Sequence, residues 1–351
     1  MGSDMAAPTS AAAPVLAVDL DGTLLRSDLL FESFWSAWAR NWRAPLVALA
    51  GLRQGRAGMK AALAGLAEVD VTTLPYAEPV IDHVRAWRAA GGRTELVTAS
   101  DDRLARQVAA HLGLFDAVQG SADGTNLKGA AKAAWLVARH GEGGFHYAGD
   151  SAADLAVWQR AGGVVAVNPA PALDRKIMAL APDATRITVP RGRAGWWKAL
   201  RPHQWLKNLL VFLPVLAGHR LDLAALLPAL LAFCAFSMVA SGVYLLNDML
   251  DLAADRRHPR KRNRPFAAGT LSLAAGSIAF PLLLLGGLGL AALVGPLLLI
   301  TLLVYLFLTT SYSLWLKRLI VIDICVLACV YTLRLVAGGA ATGIPLSVWL
   351  F

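Results

Sequence analysis

The stretch Leu16-Ala-Val-Asp-Leu-Asp-Gly-Thr-Leu24 decides how the first half of the chain is read. Its apolar start reads as a buried strand that ends in two carboxylates, Asp19 and Asp21. Side chains alternate along a strand, so these two acids share a direction if the strand continues. Gly22-Thr23 breaks it into a turn. Asp-Gly alone is an ordinary turn former, whereas paired carboxylates at a strand's C-terminal edge can bind a hard cation and attack phosphorus.

Working outward, Arg93 to Thr98 forms a second strand, with hydroxyls at its end on Thr98 and Ser100. Lys128 precedes an amphipathic helix from Ala130 to Arg139. A further strand, Phe145-His-Tyr-Ala-Gly, leads into Asp150, and Asp154 lies four residues on, on the same side of a helix start. Each of these polar groups follows a strand. In an open α/β sheet, ligands bind at such C-terminal edges.

In this order the segments DLDGT, VTAS, the lysine and GDSAAD resemble the haloacid dehalogenase superfamily of phosphatases over roughly residues 15–185. The resemblance implies an α/β doubly wound, Rossmann-like domain with a small helical cap at about 26–76. It assigns Asp19 as the nucleophile and Asp21 as the general acid/base. Thr98, or less favourably Ser100, would hold phosphoryl oxygens, and Lys128 would neutralise developing charge. Asp19, Asp21, Asp150 and Asp154 form the implied Mg²⁺ group.

The whole chain has 351 residues, enough for about two domains. It is 56% hydrophobic and 16% charged, with mean hydropathy +0.52, whereas soluble domains are about 25% charged. These values exclude a disordered chain, a coiled coil and a purely soluble protein. Residues 1–195 carry 20 Lys/Arg and 19 Asp/Glu; residues 196–351 carry 13 and 5, with no Glu. Residues 1–14, read as a disordered N-terminus, lack the basic and apolar regions of a signal peptide. The three cysteines lie in apolar runs and suggest neither zinc nor disulfides.

Pro265 to Leu316 contains 52 residues without a charge. One span needs about 20, so the reading is two helices that reverse near Gly286-Gly287-Leu288-Gly289. Further spans are read at about Trp205 to Gly218, Leu223 to Asn247 and Leu319 to Ala341, five in all, after a basic interfacial segment at 191–204. The expectation for 205–351 is an all-α multi-span membrane domain. Basic residues gather before the first span, at Arg256 to Arg264, and at Lys317-Arg318. The positive-inside rule then places these loops and the N-terminal domain in the cytoplasm, in a bacterial-type inner membrane. Trp196, Trp197 and Trp205 suit an interfacial belt. Basic loops between spans favour topology or anionic lipid over nucleic acid.

Asp248, Asp251 and Asp255 recur at i, i+3 and i+7, on one helix face. Their repulsion calls for a hard divalent cation, with a diphosphate completing its shell. This NDxxDxxxD string resembles the UbiA superfamily of intramembrane prenyltransferases. The stretches Arg201 to Asn208, His258 to Gly269, Tyr312 to Lys317, Asp323-Ile-Cys and Arg334 with Ala337-Gly-Gly resemble its polyprenyl-phosphate phosphoribosyltransferase branch. That branch implies 5-phosphoribosyl diphosphate and a polyprenyl phosphate as substrates in a lipid bilayer. Asp248, Asp251 and Asp255 would hold Mg²⁺, with Asn247 in support, and Lys207, Arg264 and Lys317 would grip phosphates. Asn208, Tyr312, Asp323 and Arg334 complete the implied substrate site. Asp323 and Arg334, three turns apart, are also intramembrane charges, which mark functional sites or structural pairs. The superfamily's second acidic motif is missing, and the chain stops inside an apolar run, so a truncated membrane domain is expected. Two other readings stand beside this one: a prenyltransferase for an aromatic or other acceptor, and a phosphatase anchored by a non-catalytic membrane domain.

Overall fold

The computed structural model describes residues 13–53, 55–121, 126–190, 195–314 and 320–346. Almost all of the expected disordered N-terminus lies outside these residues. The chain forms two compact units, Met1–Arg191 and Gly192–Phe351.

The first unit runs β1 (Val15–Val18), α1 (Leu29–Arg40), α2 (Ala44–Leu52), α3 (Gly55–Ala64), α4 (Glu78–Ala89), β2 (Arg93–Asp101), α5 (Asp102–Leu112) and β3 (Ala117–Ser121). It continues with α6 (Ala130–His140), β4 (Phe145–Gly149), α7 (Leu155–Trp158), β5 (Gly163–Val167), α8 (Pro171–Leu180) and β6 (Thr185–Ile187). The strands form one parallel sheet in the order β3-β2-β1-β4-β5-β6. All four residues of β1 are buried, as expected when helices cover both faces of a parallel sheet.

Strand alternation divides the core in two. Leu16 and Val18 pack with Val84 of α4 and Val108 of α5. Val15 and Ala17 pack with Leu136 of α6 and Ile177 of α8. Both clusters draw only on residues between Val15 and Val189, so this unit carries a complete core of its own. β1 lies between β2 and β4, where the strand order reverses. Asp19 and Asp150 therefore leave adjacent strand ends at the topological switch point, where doubly wound sheets bind ligands.

The inserted helices α1 to α3 fill the segment between β1 and α4. Asp28 caps α1 by accepting from the Leu30 amide at 2.8 Å, which satisfies an otherwise orphaned donor. Their small core gathers Ala37, Ala44, Ala48 and Leu63 under Phe34 and Trp38.

The second unit contains α9 (Gly195–Leu200), a 3₁₀ helix (Pro202–Phe212), α10 (Leu213–Ala217), α11 (Leu223–Leu250), α12 (Leu252–Arg257), α13 (Leu273–Val294), α14 (Pro296–Leu314) and α15 (Ile320–Thr342). Among the described residues, three helical stretches are long and apolar enough to cross a membrane: Leu223–Leu250, Leu273–Val294 and Ile324–Thr342. Pro296–Tyr312 is a shorter apolar helix.

Two features differ from the sequence reading. The reversal expected at Gly286–Gly289 is absent, because α13 runs through those glycines and the chain turns at Gly295-Pro296. Gly286 and Gly287 serve close packing instead. A Cβ on Gly287 would lie 2.7 Å from Val239 Cγ2 and 2.8 Å from the Ala235 carbonyl oxygen, a use of small residues common between membrane helices. The first expected span is not a single α-helix but the 3₁₀ helix followed by α10. At about 2 Å of rise per 3₁₀ residue and about 1.5 Å per α residue, Pro202–Ala217 still extends roughly 30 Å. Trp205 and Asn208 fasten this segment to α11 through Ser241 (3.0 Å) and Ser237 (3.1 Å).

Candidate active sites

In the first unit, β1 stops at Val18 and the turn that follows brings Asp19 over the sheet edge. Asp19, Asp150 and Asp154 each place a carboxylate oxygen within 4.8 Å of the others. Gly22 makes this approach possible with a φ of +78°, and a side-chain carbon there would run into the Asp150 carboxylate. Lys132 Nζ lies 2.8 Å from Asp19 Oδ1 and donates to the Tyr147 hydroxyl at 2.8 Å. That hydroxyl donates to Asp154 Oδ1 at 2.9 Å. Asp154 Oδ2 accepts from the Ser151 amide and hydroxyl, both at 2.9 Å. Asp154 is thus fixed from behind, while Asp150 projects from the end of β4. Asp150 and Asp154 do not share a helix face as the spacing suggested. They sit in a loop and a 3₁₀ turn closed by a Ser151–Asp154 capping box.

Asp21 lies outside the three-acid group. Its Oδ1 accepts from the Leu29 amide at 2.8 Å, at the start of α1, and its Oδ2 accepts from the Ser100 hydroxyl. Of the four acids expected to hold the metal, Asp21 is thus the one whose side chain is turned toward α1 and Ser100 and not grouped with Asp19, Asp150 and Asp154. Burial, helped by the charge of Asp28, pushes its carboxyl up to about 7. Burial also raises Asp19, against the opposing pull of Lys132. Thr98 is fully buried, and its hydroxyl accepts from the Ser100 amide at 3.0 Å. Ser100 also borders a cavity lined by Leu29, Leu30, Val69 and Leu104, beside Asp21.

The lysine beside Asp19 is Lys132; Lys128 is exposed in the loop before α6. The cue in the sequence is position. Lys132 sits one turn before Leu136, on the buried stripe of α6, where an unpaired lysine is costly. Tyr147, on the same sheet face as Phe145, has no such cue.

In the second unit, Asp248 closes the last turn of α11, Asp251 forms the junction, and Asp255 lies in α12. Asp248 and Asp255 are buried. Arg264 Nη1 joins them, at 3.1 Å from Asp248 Oδ1 and 2.8 Å from Asp255 Oδ2. Arg201 Nη2 also meets Asp248 Oδ1, at 2.5 Å, with its guanidinium 4.8 Å from the Tyr244 ring. Burial raises the Asp255 carboxyl, and the Arg264 contact opposes that shift. Arg201 was not foreseen as a site residue. It holds φ +53°, uncommon for a residue with a side chain.

Asn247 and Asp251 are half-buried beside these pairs. Arg334 is buried, donates to Asn208 Oδ1 at 2.8 Å and to the Val330 carbonyl at 2.6 Å, and lies over the Tyr305 and Tyr331 rings. Lys207 is exposed, 5.9 Å from the Tyr331 ring centre. Tyr312 packs at the edge of the helical core. Lys317 and the Asp323 side chain lie outside the described residues.

Both acid groups offer hard oxygen ligands. At the first site they converge, with Gly22 leaving the space, and the residues fit a small divalent cation. At the second site the donors suit the same chemistry, while Arg264 spans two of them.

A doubly wound sheet with a carboxylate cluster at its switch point, followed by apolar helices around an aspartate string, defines a hydrolase-type domain joined to a membrane-embedded domain. The haloacid dehalogenase-like hydrolase family matches residues 16–159, and the UbiA prenyltransferase family matches residues 209–351. The chain thus carries a haloacid dehalogenase-like hydrolase domain followed by a UbiA prenyltransferase domain, and is an integral membrane protein.

A Sinorhizobium fredii protein, y4nM, is 39% identical over 96% of this chain and 66% of its own length. The decaprenyl-phosphate phosphoribosyltransferase of Mycobacterium tuberculosis is 43% identical over 44% of this chain and 53% of its own. The chain thus spans between about half and two thirds of these relatives' lengths. A solved UbiA homolog from Archaeoglobus fulgidus, bound to DMAPP and Mg²⁺, is 22% identical, with a TM-score of 0.37, over 44% of this chain and 56% of that one.

Proposed function

We propose that the first unit is a Mg²⁺-dependent phosphomonoesterase and that the second transfers phosphoribose from 5-phosphoribosyl diphosphate to a polyprenyl phosphate. The convergence of Asp19, Lys132, Asp150 and Asp154 at the switch point carries the first reading. An Asp19 oxygen attacks phosphorus, the bond from phosphorus to the leaving oxygen breaks, and Asp21 gives that oxygen its proton. A water then attacks the aspartyl-phosphate, Asp21 takes a proton, and phosphate leaves. Lys132 holds Asp19 in place and offsets negative charge on the transferring group. Thr98 and Ser100 supply hydroxyls at the same edge. Bound Mg²⁺, held by Asp19, Asp150 and Asp154, would screen the phosphate's charge.

The second reading is supported by the phosphoribosyltransferase relatives and by the buried aspartates next to arginines. The lipid's phosphate oxygen bonds to the sugar's anomeric carbon as diphosphate departs. Asp248, Asp251 and Asp255 would hold Mg²⁺ on the diphosphate. Arg201, Lys207 and Arg264 would meet phosphate oxygens, and the apolar helices would house the isoprenoid. The positive-inside pattern supports a cytoplasmic location for the site and the first unit. Joined in one chain, the phosphatase meets the lipid-linked 5-phosphate product at raised effective concentration.

The test is transfer of radiolabel from 5-phosphoribosyl diphosphate into polyprenyl phosphate by membranes containing the protein, with and without Asp251→Ala. Label in the lipid, lost in the variant at equal membrane yield, is the expected result. Label carried instead from a prenyl diphosphate to an aromatic acceptor would replace this reading.

A further inference from the structure

The inserted helices of the first unit expose an apolar surface that the catalytic reading does not use. In α2 the inner stripe, Ala44 and Ala48, packs on α1 and α3. The outer side carries Leu46 at 61%, Leu49 at 63% and Leu52 at 47% exposure, with Trp42 at 65% just before the helix. Trp42, Leu46, Leu49 and Arg53 recur at i, i+4, i+7 and i+11, which is one helical face. A water-soluble surface seldom gathers this many large apolar side chains without a partner.

The surrounding charge selects the partner. From Ser33 to Ala67 the sequence holds five Lys or Arg and no Asp or Glu. Arg43 and Arg53 flank α2 and are exposed, and the Arg43 guanidinium lies 5.2 Å from the Trp42 ring. α2 has no charged face of its own and its cations stand only at its two ends, so the exposed leucines and tryptophan suit the acyl-chain side of a bilayer interface while the flanking arginines meet anionic headgroups. A bilayer is at hand, since the described residues of the same chain include three helices long and apolar enough to cross one.

We infer that α2 docks the phosphatase unit on the surface of an anionic lipid bilayer, through Trp42, Leu46, Leu49 and Leu52. The hydrolase then works at the lipid–water boundary, where phosphorylated lipids present their headgroups.

The experiment uses Met1–Arg191, whose cores are complete without the rest of the chain, and vesicles of equal parts phosphatidylcholine and phosphatidylglycerol. The unit should float with these vesicles. The Leu46→Glu/Leu49→Glu variant should bind them at least about tenfold more weakly. It should keep its thermal unfolding midpoint and its activity on a soluble phosphate ester, because both leucines are exposed and lie outside the catalytic group. Binding should also weaken on pure phosphatidylcholine vesicles and at high salt. Equal flotation of parent and variant would overturn the inference, as would no flotation of a folded, active parent. A concentration-dependent dimer without lipid, abolished by the same substitutions, would assign the face to a second copy and overturn it too.

Discussion

The two acid clusters avoid self-repulsion in opposite ways. At the sheet edge three carboxylates converge on one another, and Lys132 pairs with one of them, Asp19. At the end of α11 two guanidiniums, Arg201 and Arg264, already answer the buried Asp248 and Asp255. The first group has the acid content and spacing that a small divalent cation fits. The second is satisfied as it stands, so binding a metal diphosphate there requires the arginines to exchange carboxylate partners for phosphate ones.

This contrast can be broken most sharply at Asp19. Asp19→Asn removes the proposed nucleophile and should lower hydrolysis of p-nitrophenyl phosphate by about 10³-fold or more, with the proposed transfer reaction unchanged. Hydrolysis within tenfold of the parent would dissolve the first site. Lys132→Ala should cost about 10²-fold in kcat, the scale of losing one charge-stabilising donor. Lys128→Ala should stay within about threefold. A reversal of these two results would return the role to Lys128.

Asp21 sharpens the contrast through pH. Burial holds its carboxyl up at about 7, against an ordinary 3.8. The folded state therefore holds a proton that the unfolded chain loses, and stability falls as pH rises from about 4 to about 7. Asp21→Asn carries no such charge. It should be more stable than the parent by about 2–4 kcal/mol above pH 7, with the gap closing by pH 4. Denaturant titration across that range in chelator measures it, and a pH-independent gap would show that burial does not set this carboxyl.

The smallest effect is expected in the second unit. Arg264→Gln removes the Arg264–Asp255 ion pair but leaves Arg201 on Asp248. The partly exposed arginine should account for about 1–3 kcal/mol, read as a lower unfolding temperature in detergent. An unchanged midpoint would mean that the guanidinium does not neutralise these acids.

How legible each part was follows the range of the interactions. The parallel sheet could be read because β1, β2 and β4 each announce themselves locally, as apolar runs ending in polar residues. The convergence of Asp19 with Asp150 followed from the motif order. Lys132 was missed because burial, not proximity to a motif, distinguishes it from Lys128, and burial is set by how α6 packs. Arg201 was missed because its partner is 47 residues away. The membrane reversal was misplaced because glycine has two uses. At Gly286-Gly287 it admits a neighbouring helix, and the turn needed the Gly295-Pro296 pair instead. The 3₁₀ helix at Pro202–Phe212 carries an apolar pattern that suits either helix type, so composition could not separate them.

The central position of β1 also sets a timetable for the protein's birth. Val15 pairs with Phe145, 130 residues later in the chain. At roughly 5–20 residues per second of translation, β1 waits on the order of ten seconds for that neighbour to be made. During this interval a fully apolar strand has one flank unpaired outside the ribosome, and Asp19 beside it lacks Asp150 and Asp154. The apolar helices of the second unit follow soon afterwards. Maturation of the hydrolase is thus pressed against the start of membrane insertion, and a slowed sheet would compete with the insertion machinery for the same nascent chain.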